Sequence, residues 1–280
     1  MPYDNILYSK ADRIARITLN RPEKLNPLSN PLRDDLEHAL RDAEDDPDTH
    51  VIIIKGAGRA FSAGYDLMRH DFQPRTTGTM QEQIDLIRKS GQRWMQCIWN
   101  LRKPVIAQVH GYCMAGGNDL AGVCDLTFAA EDAIFSVNES RALGINHLFG
   151  MWPLLIGMKK TKELFFTGGF LTGKEAEELG LINRAFPADR LEEEVEKFAA
   201  KMAMLPNELL HSHKHAINRW FEIMGLDAMV KSTAEWDIIA AKNPNNAAWA
   251  EISRAQGVRA AIEWRDAPFH DDFRKRTRGD

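Results

Sequence analysis

Short apolar runs alternate with longer amphipathic segments along the first half of the chain. β-branched runs at residues 14–19, 51–55 and 105–110 predict buried strands, because Ile and Val pack well on both faces of a sheet. Amphipathic stretches at 30–44 and 80–100 predict the helices between them. Strands that alternate with helices in this way predict an α/β layered core.

From residue 159 onward the pattern becomes helical, and prolines and glycines separate its segments. Helices are predicted at 160–167, 172–179, 191–204, 207–224, 226–241 and 246–264, with a short strand at 183–186. We therefore divide the chain into a core at 1–195, which carries the predicted site, and a helical C-terminal region at 196–280. Trp236, Trp249 and Trp264 lie in that region, and large aromatics are enriched at interfaces.

Composition and charge narrow the classes of function. The 280 residues carry a formal net charge of −4, which argues against a nucleic-acid partner, since such domains usually have a basic excess. No apolar run approaches a membrane span or a signal peptide, so we expect a cytoplasmic protein without a membrane partner. Cys97, Cys113 and Cys124 show no metal-type spacing and fit reduced, buried thiols.

Two stretches combine a strand with a glycine-containing turn. One runs from Val105 through Gly116 to Asp119, where a strand gives way to a helix start whose N–H groups favour negative charge. The other, residues 56–67, follows the strand at 51–55. Two such loops can converge so that each supplies one N–H to an oxyanion. Taken alone, Asp119 is equally well explained as a residue that complements the helix dipole.

These stretches resemble the enoyl-CoA hydratase/isomerase (crotonase) superfamily over nearly the whole chain. The order and spacing of several segments carry the resemblance: Ile17 to Asn26, Phe61-Ser62-Ala63-Gly64-Tyr65-Asp66, Gly111 to Asp119, Cys124-Asp125-Leu126, Leu164 to Gly168 and Ala176 to Asn183. The resemblance implies a spiral of ββα units, followed by a helical C-terminal region that assembles into a homotrimer or a dimer of trimers. It also implies an acyl-CoA thioester as substrate, with no metal or redox cofactor.

The resemblance also implies roles for individual residues. Asp119 and Glu139 match the two catalytic carboxylates, and Ala63 and Gly116 match the positions whose backbone N–H groups form the oxyanion hole. The matching substrate-binding residues are Lys24, Leu25, Ala63, Gly64, Tyr65, Asp66 and Gly116, to which we add His147.

The chain departs from the family pattern at two places. Hydratases of this family normally have glutamate at both acid positions, whereas Asp119 is one methylene shorter. Aspartate there is similar to the dienoyl-CoA isomerases, which carry a third acid where this chain has Asn146-His147. Residues 145–149 are also bulky where many relatives have a glycine-rich turn. His147 is either a substitute acid/base or a packed loop residue, and packing is favoured.

We therefore predict an enzyme that stabilises a thioester enolate, with reversible hydration of a 2-enoyl-CoA as the favoured reaction. Isomerisation of an enoyl- or dienoyl-CoA is the second hypothesis, and retro-Claisen C–C hydrolysis is the third. A different class, a catalytically silent acyl-CoA-binding or interaction protein, also stays open.

Overall fold

The computed structural model describes residues 3–67, 78–145 and 151–270, without the side chains of residues 90–92 and 94–96. Its strands, in chain order, are β1 (Ile6–Ala11), β2 (Ile14–Leu19), β3 (Val51–Gly56), β4 (Ala60–Ser62), β5 (Val105–Val109), β6 (Tyr112–Met114), β7 (Leu126–Ala130), β8 (Ile134–Ser136), β9 (Phe170–Thr172) and β10 (Arg184–Phe186).

The helices follow the same order. They are α1 (Asn30–Asp45), α2 (Met80–Trp94), α3 (Gly116–Val123), α4 (Trp152–Leu155), α5 (Gly157–Thr167), α6 (Gly173–Glu178), α7 (Leu191–Ala203), α8 (Asn207–Ile223), α9 (Leu226–Ala240), α10 (Pro244–Gln256) and α11 (Val258–Asp266). A π-helical turn continues α2 over Met95–Trp99, and 3₁₀ turns occur at Pro22–Lys24, Asn138–Arg141 and Ala267–Phe269.

The strands form two sheets that the chain visits in turn. The larger sheet has the order β1-β2-β3-β5-β7-β10, and the smaller has the order β4-β6-β8-β9. Three successive strand pairs are therefore divided between the sheets. In each of the pairs β3-β4, β5-β6 and β7-β8, the first strand lies in the larger sheet and the second in the smaller one. The pairs repeat before successive helices, which confirms the predicted α/β spiral of ββα units.

The core lies on both faces of the larger sheet. In β3, Ile52 and Ile54 point to one face of the sheet, and Val51 and Ile53 point to the other. The residues on both faces are fully buried. A strand buried on both sides reads as a continuous apolar run, which explains the sequence pattern. α7 packs against β3, β5 and β7, so the predicted division after residue 195 falls within a helix that covers the sheet.

Two predicted helices differ from the structure. The segment predicted as one helix at 246–264 is split into α10 and α11 by Gly257, whose φ is +92°. A backbone with positive φ cannot continue a right-handed helix, and glycine adopts it without strain. The segment predicted at 80–100 ends its α-helical part at Trp94 and continues as the π-helical turn.

Candidate active site

Asp119 lies in the first turn of α3, close to the point where β6 ends. Ala115 joins the two elements with φ 47° and ψ −119°, a conformation that residues with a Cβ rarely adopt. The Asp119 side chain is 2% exposed. Main-chain N–H groups at a helix start lack intrahelical partners and carry the positive end of the dipole, so α3 stabilises this carboxylate.

Glu139 reaches the same cavity from the smaller sheet. β8 ends at Ser136, and the 3₁₀ turn that follows carries Glu139. Its carbonyl oxygen accepts N–H groups from Ala142 at 3.2 Å and Leu143 at 2.8 Å, which fixes the backbone at this position. Asp119 and Glu139 both line a cavity of about 590 Å³. The two predicted carboxylates therefore line the same cavity.

The two predicted glycine turns also meet at this cavity. Gly64 has φ +93°, and a Cβ there would lie 2.8 Å from the Met114 carbonyl oxygen and 3.1 Å from the Gly116 nitrogen. Only a residue without a side chain allows this approach. Gly64 therefore brings residues 63–66 against the start of α3, where Gly116 lines the cavity.

Ala63 does not serve as the oxyanion donor that the sequence predicts. Its N–H donates to the Leu25 carbonyl oxygen at 2.8 Å, and that bond ties the two loops together. The N–H of Gly64 is also engaged, by the Ser62 hydroxyl at 3.2 Å. The prediction of Ala63 as a donor is therefore wrong, although its side of the loop still lines the cavity. The next residue of this loop that lines the cavity is Tyr65.

Lys24 and Leu25, two of the predicted substrate-binding residues, line the cavity. The loop is held from inside by Asn26, which is fully buried and has φ 52°. The Asn26 amide donates to the carbonyl oxygens of Ala57 and Ala60, at 2.8 Å each. Lys24 itself is exposed, so its ammonium group stands in water at the mouth.

Asp66 lines the cavity but is held in an ion pair. Its Oδ2 accepts from Nη1 of Arg21 at 2.9 Å, and the residue is 4% exposed. This bond joins the loop at 63–66 to the loop that carries Lys24. We therefore interpret Asp66 as a residue that anchors these two loops to each other and not as a direct contact for substrate.

A wall that the sequence analysis missed comes from α11. Its residues on the cavity are Val258, Arg259, Ile262, Glu263, Arg265 and Asp266. The signal was the apolar pair Val258 and Ile262, spaced to share one helical face. The C-terminal region, to which the resemblance gives a role in assembly, thus also contributes a wall to the site of its own chain.

A buried charge cluster holds this wall in place. Arg265 donates to both carboxylate oxygens of Asp266 at 2.8 Å, and Arg141 donates to Oδ1 at 3.0 Å. Burial alone would raise the pKa of Asp266, but the two guanidinium groups outweigh burial and lower it. Burial lowers the pKa of Arg141. The cluster connects α11 to the turn that carries Glu139.

The thiol of Cys113 lies close to Asp119 but is chemically quiet. Burial raises the pKa of Cys113 well above its usual range, and the Asp119 charge raises it further. Because the thiolate is the nucleophile, a thiol with a raised pKa is unreactive at neutral pH. Cys113 therefore acts as a small apolar residue in the core, as the sequence predicts.

His147 lies outside the described residues, so its role, as a substitute acid/base or as the favoured packed loop residue, stays a prediction. Among the residues that the structure does describe, no group of three or more His, Cys, Asp or Glu side chains is arranged to hold a metal ion. In the same part of the chain, no helix combines the length and the apolar character that a membrane crossing requires.

Comparison with known proteins places this site in a family. The model of the enoyl-CoA hydratase/isomerase family matches residues 9–272. The chain belongs to the enoyl-CoA hydratase/isomerase family. Within it, the crotonyl-CoA hydratase of Syntrophomonas wolfei subsp. wolfei is 30% identical, over 96% of this chain and 99% of the relative.

Solved structures show the same likeness in three dimensions. An enoyl-CoA hydratase/isomerase from Xanthobacter autotrophicus Py2 superposes with a TM-score of 0.86 at 36% identity, over 95% of this chain and 99% of that one. An enoyl-CoA hydratase from Mycobacterium smegmatis gives a TM-score of 0.87 at 30% identity, over 95% and 94% of the two chains. The enoyl-CoA hydratase/isomerase fold thus extends from the β1-β2 hairpin to the C-terminal helices.

Proposed function

We propose that this protein catalyses the reversible hydration of a 2-enoyl-CoA thioester. The observation that carries the proposal is that Asp119 and Glu139 line one cavity beside the N-terminus of α3. Relatives named for hydration of enoyl-CoA or crotonyl-CoA match nearly the whole chain, which supports the same chemistry here.

The thioester oxygen is held by main-chain N–H groups during the reaction. Gly116 is the first residue of α3, so its N–H belongs to the groups that an intrahelical bond does not use. The second donor comes from the loop at 63–66. The N–H groups of Ala63 and Gly64 are engaged within the protein, so we assign this role to the N–H of Tyr65, the next residue, which lines the cavity. Two donors stabilise the negative charge that develops on the carbonyl oxygen when the β-carbon is attacked.

The two carboxylates move the protons. One carboxylate takes a proton from the attacking water while the other carboxyl group delivers a proton to the α-carbon of the enolate. General acid–base groups in these roles each contribute about 10²–10⁴-fold to the rate. The reaction needs no metal or redox cofactor, because the N–H groups and the carboxylates supply the charge stabilisation and the protons.

The coenzyme A part of the substrate binds at the mouth of the cavity. Lys24 and Arg259 both line the cavity, and both residues are exposed. Cations at an exposed mouth attract the phosphates of coenzyme A, and salt screens that attraction.

Isomerisation of an enoyl-CoA double bond is the second candidate. The shorter side chain of Asp119 favours it, since a displacement of about 1 Å can cost a catalytic group a hundredfold in rate. Isomerisation requires a proton to be removed and returned along the acyl chain, without addition of water. The two reactions therefore differ in whether solvent oxygen enters the product.

The test uses purified protein with 2-enoyl-CoA thioesters of several chain lengths, in water labelled with ¹⁸O. Hydration is expected to remove the conjugated-thioester absorbance and to place the label in the product. Asp119→Asn and Glu139→Gln are each expected to lower kcat at least about a hundredfold. Asp132→Asn, a change at an exposed acid that does not line the cavity, is the matched control and should have no effect.

Each alternative has its own outcome. A product that carries no label and whose double bond has moved along the acyl chain would support isomerisation in place of hydration. Full activity in both carboxylate variants would exclude the proposed mechanism. Binding of acyl-CoA without turnover of any thioester would leave the silent binding protein as the explanation.

We also propose that the protein assembles into a homotrimer or a dimer of trimers. α8 buries Leu210, Lys214 and Asn218 on one face. On another face it exposes the apolar side chains of Ile217, Trp220 and Ile223, each by at least 60%. An exposed apolar face of this kind is typical of a surface that a partner subunit covers. A cytoplasmic location stays a prediction of the sequence.

A further inference from the structure

The side chain of Tyr65 packs on Gly116, the other residue of the proposed oxyanion site. A Cβ added to Gly116 would lie 2.7 Å from Cε2 and 2.8 Å from Cδ2 of the Tyr65 ring. The ring therefore packs directly on the glycine at the start of α3. The guanidinium carbon of Arg33 lies 5.6 Å from the ring centroid, within reach of a cation–π interaction.

The Tyr65 hydroxyl reaches the first carboxylate. Its Oη donates to Oδ2 of Asp119 at 3.3 Å, and Asp119 is 2% exposed. A hydrogen bond to one oxygen restricts rotation about the Cβ–Cγ bond, and so sets the direction of the other oxygen, Oδ1. Bonds of this kind are often long in a protein without ligand and shorten when substrate binds.

The backbone of Tyr65 is fixed as well as its ring. Leu28 and Tyr65 form a parallel bridge, in which the N–H of Leu28 donates to the Gly64 carbonyl oxygen at 2.8 Å. Ring, backbone and hydroxyl thus hold one orientation. A donor on such a rigid support can orient a carboxylate with little loss of entropy.

We propose that Tyr65 is a positioning residue that aims the short Asp119 carboxylate at the substrate. The inference rests on the proposed function, in which Asp119 moves a proton. Aspartate has fewer rotatable bonds than glutamate but a shorter reach, so the direction of its oxygens matters more. The hydrogen bond from Tyr65 therefore fixes the orientation of the Asp119 carboxylate, which the aspartate side chain alone does not fix.

The test is a double-mutant cycle between Tyr65→Phe and Asp119→Asn. Tyr65→Phe removes only the hydroxyl and keeps the ring on Gly116, so the fold is retained, and the thermal unfolding midpoint verifies this. We expect Tyr65→Phe to lower kcat about tenfold to a hundredfold, the usual worth of a hydrogen bond to a charged group, with KM changed less than about twofold. In the Asp119→Asn background the same change should have almost no further effect.

The control is Tyr112→Phe, a change to a half-buried tyrosine in the adjacent β6 that does not line the cavity. It should leave kcat and KM unchanged. The inference is overturned if Tyr65→Phe raises KM and spares kcat, because Tyr65 would then only contact substrate. It is also overturned if Tyr65→Phe lowers kcat equally with and without the Asp119 carboxylate.

The results separate the inference from the function on which it rests. If Asp119→Asn is severely impaired while Tyr65→Phe equals the wild type, the positioning role alone is wrong. If the wild type turns over no enoyl-CoA, or if Asp119→Asn is fully active, the proposed function fails and the positioning role fails with it.

Discussion

Ala115 holds a backbone conformation that glycine adopts far more readily than alanine. Its φ of 47° and ψ of −119° are maintained by two main-chain bonds. Its N–H donates to the carbonyl oxygen of Ser136 at 3.1 Å, and its carbonyl oxygen accepts from the main-chain N–H of Asn118 at 2.8 Å. Strain of this kind is typical of functional sites, where the surrounding structure holds it in place. Here the strained residue sets the direction in which α3 begins.

We predict that Ala115→Gly stabilises the protein by about 1 kcal/mol. Relief of about 1–3 kcal/mol of strain exceeds the extra backbone entropy that glycine adds to the unfolded chain. Urea denaturation measures the change. The control Ala121→Gly, inside the same helix, should destabilise the protein by about 1 kcal/mol or more. Equal destabilisation by both substitutions would show that Ala115 is not strained.

A second prediction at this scale concerns the mouth of the cavity. Lys24→Glu should weaken binding of an acyl-CoA several-fold, because it replaces an attractive charge by a repulsive one beside the phosphates. Calorimetric titration with a saturated acyl-CoA measures the affinity. Lys162→Glu makes the same charge change at an exposed position that does not line the cavity, and it should have little effect. An unchanged affinity in Lys24→Glu would remove that lysine from the binding site.

Single residues also show how far the sequence predicted the site. Asp119, Glu139 and Gly116 line the cavity, because their motif positions mark where strands end and a helix begins. Ala63 was assigned wrongly, since a motif locates a loop but not the direction of each N–H within it. That direction depends on turn geometry, and here the turn gives the N–H of Ala63 to Leu25.

Elements were predicted well where they are long and poorly where they are short. The strands of the larger sheet at 14–19, 51–55 and 105–110 were evident from their apolar runs. Three strands of the smaller sheet, β4, β6 and β9, have three residues each and were not predicted. Three residues show too little periodicity to distinguish a strand from a turn. They pair because the larger sheet places their neighbours beside them.

α11 supports a prediction about acid stability. The lowered pKa of Asp266 means that its ionised form stabilises the folded state above its unfolded pKa of about 3.9, and that this contribution is lost as the pH falls through the folded pKa. Asp266→Asn should therefore lower the free energy of unfolding at pH 7 by about 3–5 kcal/mol, since two buried guanidinium groups lose their counter-ion.

Denaturation of both proteins at pH 7 and near pH 3 tests this prediction. The difference between wild type and Asp266→Asn should shrink as the wild-type carboxylate becomes protonated. Glu251→Gln, at an exposed acid on α10, should change stability little at either pH. A difference that is the same at both pH values would show that the ionised form of Asp266 does not stabilise α11.

At the scale of the whole molecule, the exposed face of α8 predicts an assembly. Trp220 and Ile223 are 74% and 73% exposed. We expect the wild type to sediment as a trimer or a hexamer, and the double variant Trp220→Glu with Ile223→Glu to sediment as a smaller species, because charges oppose burial of this face. Leu7→Glu, at an exposed position on the edge strand β1, is the control and should keep the wild-type mass. A monomeric wild type would contradict the prediction.

The α11 wall also has a consequence for the protein during its synthesis. The cavity is lined both by Lys24 and Leu25, which are synthesised early, and by residues of α11, which are synthesised late. A ribosome adds about 5–20 residues per second, and the carboxylates leave it well before α11 does. A nascent chain therefore carries both acids before it has the α11 wall of their cavity. Translation that stops before residue 258 yields a chain that has both carboxylates but lacks the wall that α11 contributes to the cavity.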